Sequence, residues 1–250
     1  FREELSARQM KLICYTPEFL GCPFNFASAY AEIRARSLAY CCKNIELASE
    51  LEVPLMLVIP GWGVWDERYD EAFDRAAASL QSAADYAAQQ GVRLVLEHLT
   101  PQSSNLLTSA DKVSRMARSI GRKNLGVALD LGQMSVFGES VSDYFGPLGD
   151  KIWMVHIMDG APGRHLAFGD GILPSAAPRW LSGPYHAGNQ RRTIRQSAGS
   201  RFTAMSARDG AVGRGSAMKL ETLIVSTSAF SRSSLGYTVS QLEAAGIRRI

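Results

Sequence analysis

The sequence has few cysteines, few histidines and no long apolar run, and each shortage excludes a class of protein. No stretch of 18 apolar residues occurs, so no membrane span is predicted. The first ten residues, FREELSARQM, lack the basic and apolar regions of a signal peptide. No two cysteines form a C-x-x-C pair, which favours reduced thiols and a cytoplasmic location; the four are Cys14, Cys22, Cys41 and Cys42.

Acidic residues are missing from one long stretch, because none occurs between Asp170 and Asp209. Residues 174–217 hold seven arginines against one aspartate, so this stretch carries +6 and the rest of the chain −3. A nucleic-acid site needs its basic charge on a folded element, and this stretch shows no helix or strand period. We therefore expect neither a nucleic-acid partner nor a membrane partner.

The first 173 residues alternate short apolar runs with helical patterns, which is typical of an α/β fold. Continuous apolar runs between helices predict a parallel sheet covered on both faces, as in a (β/α)₈ barrel or a doubly wound sheet. The 250 residues suffice for one large domain of this class. The predicted strands are 10–15, 53–60, 92–99, 125–132 and 151–160, and the longer predicted helices are 28–50, 67–90 and 109–120, the last capped by Ser109 or Asp111.

Three of these strands end on a side chain that can bind a metal ion. They carry Glu97, Asp130 and His156. Carboxyl ends of parallel strands meet at one edge, so these groups are expected to converge there. Two carboxylates and one imidazole suit a divalent cation such as Mn²⁺, Co²⁺ or Mg²⁺. A single carboxylate at a strand end is also commonly a helix cap or an ion-pair partner, and the pattern alone leaves both interpretations open.

Other residues near these strand ends can be interpreted either as part of a binding site or as ordinary packing and turn residues. Trp62 and Trp65 could form an apolar wall of a pocket, or could pack against a neighbouring loop. His165 begins the segment HLAFGDG, which could cover a ligand or form a plain turn. His98 alternates with Glu97 along the strand and is expected to pack on the opposite face.

Several segments together resemble the sugar phosphate isomerase/epimerase family, whose fold is the xylose isomerase-like TIM barrel. Within it they are most similar to the fructoselysine 3-epimerases and more distantly to the D-tagatose 3-epimerases. The similarity covers nearly all of residues 1–174 in family order. The segments are YTPEFLGCPFN (15–25), RARSLAYCCKNIELASEL (34–51), LVLEHLTPQSSN (94–105), LDLGQ (129–133), YFGPLGDKIWMVHIMDG (144–160) and HLAFGDGILP (165–174).

The resemblance implies a metal-dependent isomerase or epimerase acting on a small sugar. Its metal would be held by Glu97, Asp130, His156 and a further glutamate on the last strand. Glu97 and that last glutamate would remove and return a proton next to a carbonyl group, on opposite faces of the carbon. Gln133 stands where the tagatose epimerases have a substrate-contacting histidine, and with Trp62 and His165, which the pattern places near the strand ends, it is expected to contact substrate. Family members often form homo-oligomers.

The sequence departs from the family after residue 174. The second catalytic glutamate is not found, residues 175–217 are expected to be irregular, and 218–250 resemble the family's first βα unit. A (β/α)₈ barrel that is incomplete or rearranged is therefore predicted, with its main part in 1–174. Two explanations stay open: a circular permutant, or a partial reading frame shifted after about Pro174. The composition of 175–217 favours the second.

Three functions are considered. A metal-dependent ketose 3-epimerase, acting on fructoselysine or a related sugar, fits the strand-end residues best. An inactive truncated barrel is the alternative, because the second glutamate is missing. A metal-dependent DNA-repair endonuclease of a related barrel would need a multi-zinc site rich in histidine, and only His156 of the four histidines stands at a metal position.

Overall fold

The computed structural model describes residues 2–7, 12–20, 23–156, 159–161, 164–166, 192–195 and 201–204. Its helices are α1 (Arg2–Ala7), α2 (Ala31–Glu50), α3 (Tyr69–Gln89), α4 (Ala110–Ile120), α5 (Leu131–Val136) and α6 (Val141–Leu148), with a 3₁₀ turn at Gly149–Lys151. Its strands are β1 (Leu55–Val58), β2 (Arg93–Glu97), β3 (Leu125–Asp130), β4 (Ile152–His156), β5 (Asp159–Ala161), β6 (Arg164–Leu166), β7 (Arg192–Arg195) and β8 (Arg201–Ala204).

Four strands form one parallel sheet in the order β1-β2-β3-β4. Each strand lies beside the next one in the sequence, which is the arrangement of a barrel wall. A doubly wound sheet reverses its order at a switch point, and the described strands show no reversal. In place of the strand predicted at 10–15, the described residues contain a single parallel bridge between Tyr15 and Met56, which extends the sheet beyond β1.

The strands are buried along almost their whole length, as their apolar sequences predict. Every residue of β1 and β3 is buried, and β2 exposes only Arg93. Helix α3 covers the sheet with a face made mainly of alanine, and small side chains let a helix approach closely. The covering helices leave the carboxyl ends of the strands and the loops after them as the edge where polar groups gather.

The start of α4 decides between the two predicted caps. Ser109 is the N-cap: its hydroxyl accepts a hydrogen bond from the Lys112 N–H at 3.3 Å. Asp111 lies inside the first turn, where its charge favours the helix dipole. The helix ends at Ile120, and its C-cap, Gly121, has a left-handed φ of 63°.

The pairing of β3 with β4 contains one irregularity. Val127 is opposite Ile152, but Ala128 is opposite Met154, so Trp153 is an extra residue in β4. This bulge brings Asp130 opposite His156. Residues opposite each other in a sheet point to the same face, and a bulge re-aims the side chains that follow it. Strand β4 therefore presents His156 to the face that carries Asp130.

The remaining strands form two short antiparallel pairs. Strand β5 pairs with β6, and β7 pairs with β8 within the stretch predicted to be irregular. The rest of 175–217 and all of 218–250 lie outside the described residues, so the boundaries at 174 and 217 stay predictions. The described cysteines are free thiols, and no helix in the described ranges is long and apolar enough to cross a membrane.

Replacing Gly126 with alanine is expected to destabilise the fold by about 1–3 kcal/mol, the usual cost of overpacking. A Cβ at Gly126 would lie 2.2 Å from Cδ2 of Trp153, the bulged residue. Urea denaturation measures the free energy of unfolding. In a Trp153→Ala background the same change should be neutral or stabilising, because alanine otherwise suits a strand better than glycine. An equal loss in both backgrounds would show that the indole is not the cause.

Candidate metal centre

Three neighbouring strands each end on one polar residue of the predicted set. Glu97 ends β2, Asp130 ends β3 and His156 ends β4. Asp130 is opposite His156, and Glu97 is opposite Ala128, two residues before Asp130. Side chains two apart on a strand share a face, so all three point the same way. Their potential ligand atoms lie within 4.8 Å of one another, and the structure thus brings the three predicted residues together.

His156 lies between the two carboxylates. Its Nδ1 atom is 2.6 Å from Oε1 of Glu97 and 3.7 Å from Oδ2 of Asp130. All three side chains are buried, with residue exposures of 8% for Glu97, 2% for Asp130 and 9% for His156. Buried charged groups need partners, and here each of the three is the partner of another.

Asp130 is also a helix cap, the alternative that the sequence left open for a strand-end carboxylate. It is the N-cap of α5, and its Oδ1 accepts a hydrogen bond from the Gln133 N–H at 2.9 Å. The helix thereby fixes one carboxylate oxygen, while Oδ2 faces His156. An aspartate immediately before a helix is a known capping signal, so the sequence contained the clue. Cap and metal ligand, the two alternatives for a strand-end carboxylate, are compatible here.

The contacts among these side chains shift the pKa values of His156 and Asp130. Burial acts to lower the pKa of His156, but the charges and polar contacts of Glu97 and Asp130 outweigh it and raise the pKa to about 10. Burial acts to raise the pKa of Asp130, but His156 and the Gln133 N–H lower it below its usual value. These shifts favour the protonated form of His156 beside the carboxylates.

The donor set suits a divalent cation. Two carboxylates and one imidazole are the ligands of Mn²⁺, Co²⁺, Mg²⁺ or Zn²⁺ sites, whereas soft metals select sulfur. The two carboxylates would attract a cation, and its coordination by His156 would displace a proton from the imidazole. The residues present therefore fit a metal ion, and they could supply three of its ligands.

Metal binding is expected to release about one proton per chain near neutral pH, because only neutral imidazole coordinates a cation. The apparent affinity should then rise about tenfold per pH unit up to about pH 10, the pKa of His156. In the metal-free chain the raised pKa stabilises the fold fully below about 6.5, and this stabilisation is lost as the pH rises through about 10. Calorimetric Mn²⁺ titrations in two buffers of different ionisation enthalpy count the proton. Identical heats would contradict the expectation.

Of the predicted substrate-contacting residues, the structure describes the side chains of two. Gln133 is buried, and among the described residues no donor pairs with its Oε1 atom. Trp62 is half-buried in the loop after β1, at the same edge of the sheet. Trp65 is 92% exposed, so it forms no wall within the described chain. His165 lies in β6 opposite Gly160, and its side chain is outside the described part.

His98 lies on the face away from the metal centre, as its alternation with Glu97 predicts. It is fully buried, with its ring 4.9 Å from that of Tyr144 and 6.4 Å from that of Phe137. Burial lowers its pKa to about 4, so the ring is neutral at pH 7. His98 therefore belongs to the packing between the sheet and α6.

Comparison with known proteins agrees with this architecture. The chain is 32% identical over 168 residues to fructoselysine 3-epimerase of Shigella flexneri, a match covering 66% of this chain and 61% of that protein. The chain thus spans about three-fifths of that relative's length. The solved structure of a D-tagatose 3-epimerase-like protein superposes with a TM-score of 0.61 at 24% identity, covering 68% of this chain and 66% of the other.

A second solved structure, of the IOLI protein with a binding zinc atom, has a TM-score of 0.57 at 18% identity and covers 69% of this chain and 64% of the other. At such identities the two structures show a common fold. The sequence match is broader, because residues 1–180 fit the model of one family. The parallel sheet order and the buried strands are what that fold requires. The chain belongs to the xylose isomerase-like TIM barrel family.

Proposed function

We propose that this chain is a metal-dependent ketose 3-epimerase that moves a proton at the carbon next to a carbonyl group. The observation that carries the proposal is that Glu97, Asp130 and His156 are buried and lie close together at one edge of the sheet. The similarity to fructoselysine 3-epimerase supports fructoselysine, or a related ketose derivative, as the substrate. The proposed partner is thus a small sugar; cytoplasmic location and homo-oligomers stay predictions.

Each of the three residues has a distinct role in this proposal. Glu97, Asp130 and His156 would hold the cation, and a bound divalent cation would supply the positive charge that makes a C–H bond next to a carbonyl more acidic. Glu97 also accepts the proton from carbon, and the electron pair of the C–H bond becomes part of an enediolate in the substrate. Asp130 is held by the start of α5, so it orients the ligand set while Glu97 reacts.

Gln133 and Trp62 are proposed to orient the sugar. The buried Oε1 of Gln133 is an acceptor, so it suits a sugar hydroxyl that donates a hydrogen bond. Trp62 offers an apolar face to the carbon side of a sugar ring or chain. His165 is proposed to contact substrate from the segment after β4. A glutamine cannot titrate near neutral pH, so this contact should not vary between pH 6 and 9.

The second glutamate of the family's proton pair was not found in the sequence. With Glu97 alone, a proton can be removed and returned on the same face, which leaves the configuration unchanged. The proposal is therefore tested by incubating the full chain with Mn²⁺ and fructoselysine in D₂O. Deuterium should enter at C3, detected by NMR, whether or not the configuration inverts. Wild-type chain that binds Mn²⁺ but exchanges no C3 proton would overturn the proposal and support the inactive barrel.

A further inference from the structure

The loop after β1, residues 59–65, is held by two asparagines from distant parts of the sequence. We call this segment the Trp62 loop. It follows β1, on the way to α3, at the sheet edge that carries the candidate metal centre, and Trp62 is half-buried at its middle. The backbone of such a loop must find hydrogen-bond partners outside regular structure. Here the partners are side chains.

Asn25 binds both backbone groups of Trp62. Its Nδ2 donates to the Trp62 carbonyl oxygen at 2.8 Å, and its Oδ1 accepts from the Trp62 N–H at 3.1 Å. The same Oδ1 accepts from the Ala27 N–H at 2.9 Å. Asn25 is 7% exposed, so these bonds are shielded from water. One amide side chain thus replaces the neighbouring strand that Trp62 lacks.

Asn105 binds both backbone groups of Gly63 in the same way. Its Oδ1 accepts from the Gly63 N–H at 2.9 Å, and its Nδ2 donates to the Gly63 carbonyl oxygen at 2.9 Å. The preceding residue, Ser104, donates its hydroxyl to the Gly61 carbonyl oxygen at 2.5 Å. Three consecutive residues of the Trp62 loop are therefore bound from two sides, by the loops that precede α2 and follow β2.

The two glycines of the loop match this close approach. Gly61 has a φ of +82°, and a Cβ there would lie 2.1 Å from Oδ1 of Asn25. A Cβ at Gly63 would lie 2.8 Å from the Cβ of Ala72 in α3. The sequence PGWG thus places Trp62 between two residues whose missing side chains let the asparagines and α3 reach the backbone.

We infer that Asn25 and Asn105 are positioning residues, which fix Trp62 as a preformed wall of the sugar pocket. The inference rests on the proposed function. A loop whose backbone is fixed loses little freedom when a ligand binds, so its aromatic ring contributes contact without a large ordering cost. Both asparagines act on the ligand through Trp62, and neither contributes to the metal centre.

The hydrogen bonds from Asn25 and Asn105 to the Trp62 loop, together called the clamp, are tested by amide hydrogen exchange. The exchange is measured by NMR on the full chain without sugar. Asn25→Ala should speed exchange of the Trp62 N–H at least tenfold and leave the Gly63 N–H protected; Asn105→Ala should do the reverse. Asn124→Ala is the matched control, because Asn124 binds the Ala84 carbonyl oxygen just before β3, at the opposite edge. Equal effects on both amides in every variant would overturn the clamp.

The positioning role is tested by titrating the Mn²⁺-loaded chain with fructoselysine, the substrate of the proposed function. Asn25→Ala should weaken sugar binding about tenfold and leave Mn²⁺ affinity unchanged. In a double-mutant cycle, Asn25→Ala should add nothing to the loss caused by Trp62→Ala. Additive losses would overturn the positioning role alone, since Asn25 would then act without Trp62. Wild-type chain that binds Mn²⁺ but no sugar would instead overturn the proposed function, and the positioning role with it.

Discussion

Replacing Glu97 with glutamine is expected to abolish both metal-dependent stabilisation and C3 proton exchange. Glutamine has nearly the same shape, but its amide carries no charge and cannot accept a proton from carbon. In the wild-type chain, Mn²⁺ at about 100 times its Kd should add about 2.7 kcal/mol to the free energy of unfolding, if it binds only the folded state. The variant should lose this increment, and exchange should fall by a factor of about 10²–10⁴.

Glu139→Gln is the matched control for Glu97→Gln. Glu139 accepts hydrogen bonds from the Ala110 N–H and the Tyr144 hydroxyl, and it takes no part in the metal centre. Its variant should lose some basal stability but keep the full metal-dependent increment. Thermal unfolding with and without Mn²⁺ measures both quantities. A Glu97→Gln chain that Mn²⁺ stabilises as strongly as the wild-type chain would remove Glu97 from the ligand set.

Two substitutions of Asp130 should separate its roles as helix cap and metal ligand. Asp130→Asn keeps an oxygen that accepts from the Gln133 N–H, whereas Asp130→Ala removes it. Loss of an N-cap costs about 1 kcal/mol, so the alanine variant should be less stable than the asparagine variant by about that amount without metal. Both variants lose the anionic ligand and should bind Mn²⁺ at least about 100-fold more weakly.

Urea denaturation of the metal-free variants and calorimetric Mn²⁺ titration provide the two measurements. The comparison between asparagine and alanine cancels the loss of charge beside His156, which both variants share. Equal stability of the two would show that the cap contributes nothing measurable. Wild-type Mn²⁺ affinity in Asp130→Asn would show that the carboxylate is not a ligand.

The sequence predicted the site better than its surroundings, for a physical reason. Glu97, Asp130 and His156 could be grouped because parallel strands align their carboxyl ends, and this rule needs no knowledge of side-chain packing. The apolar runs likewise located four sheet strands to within a few residues. The pairing of Asn25 with Trp62 could not be predicted, because it joins residues 37 apart through a loop conformation that only the folded chain defines.

Two further features had signals that were weaker or ambiguous. The apolar segment 10–15 predicts a strand, but only Tyr15 pairs with the sheet in the part of that segment that is described. Residue patterns show apolar character, whereas strand pairing also depends on neighbours that are distant in the sequence. The extra residue in β4 left no signal at all, since Trp153 is as suitable for a regular strand as for a bulge.

The extra residue Trp153 decides which side chain of β4 lies opposite Asp130 in the candidate metal centre. With regular pairing from Val127 and Ile152 onward, Asp130 would stand beside Val155, and the imidazole would turn to the helix-covered side. Deleting one residue between Ile152 and Met154 would therefore exchange a ligand for an aliphatic side chain without changing any residue of the site. The number of residues in β4 before His156 thus decides whether the imidazole faces Asp130, independently of which residue types are present. A protein of this fold with the same three residue types but one residue fewer in β4 before the histidine would need another bulge to bring the imidazole back to the same face.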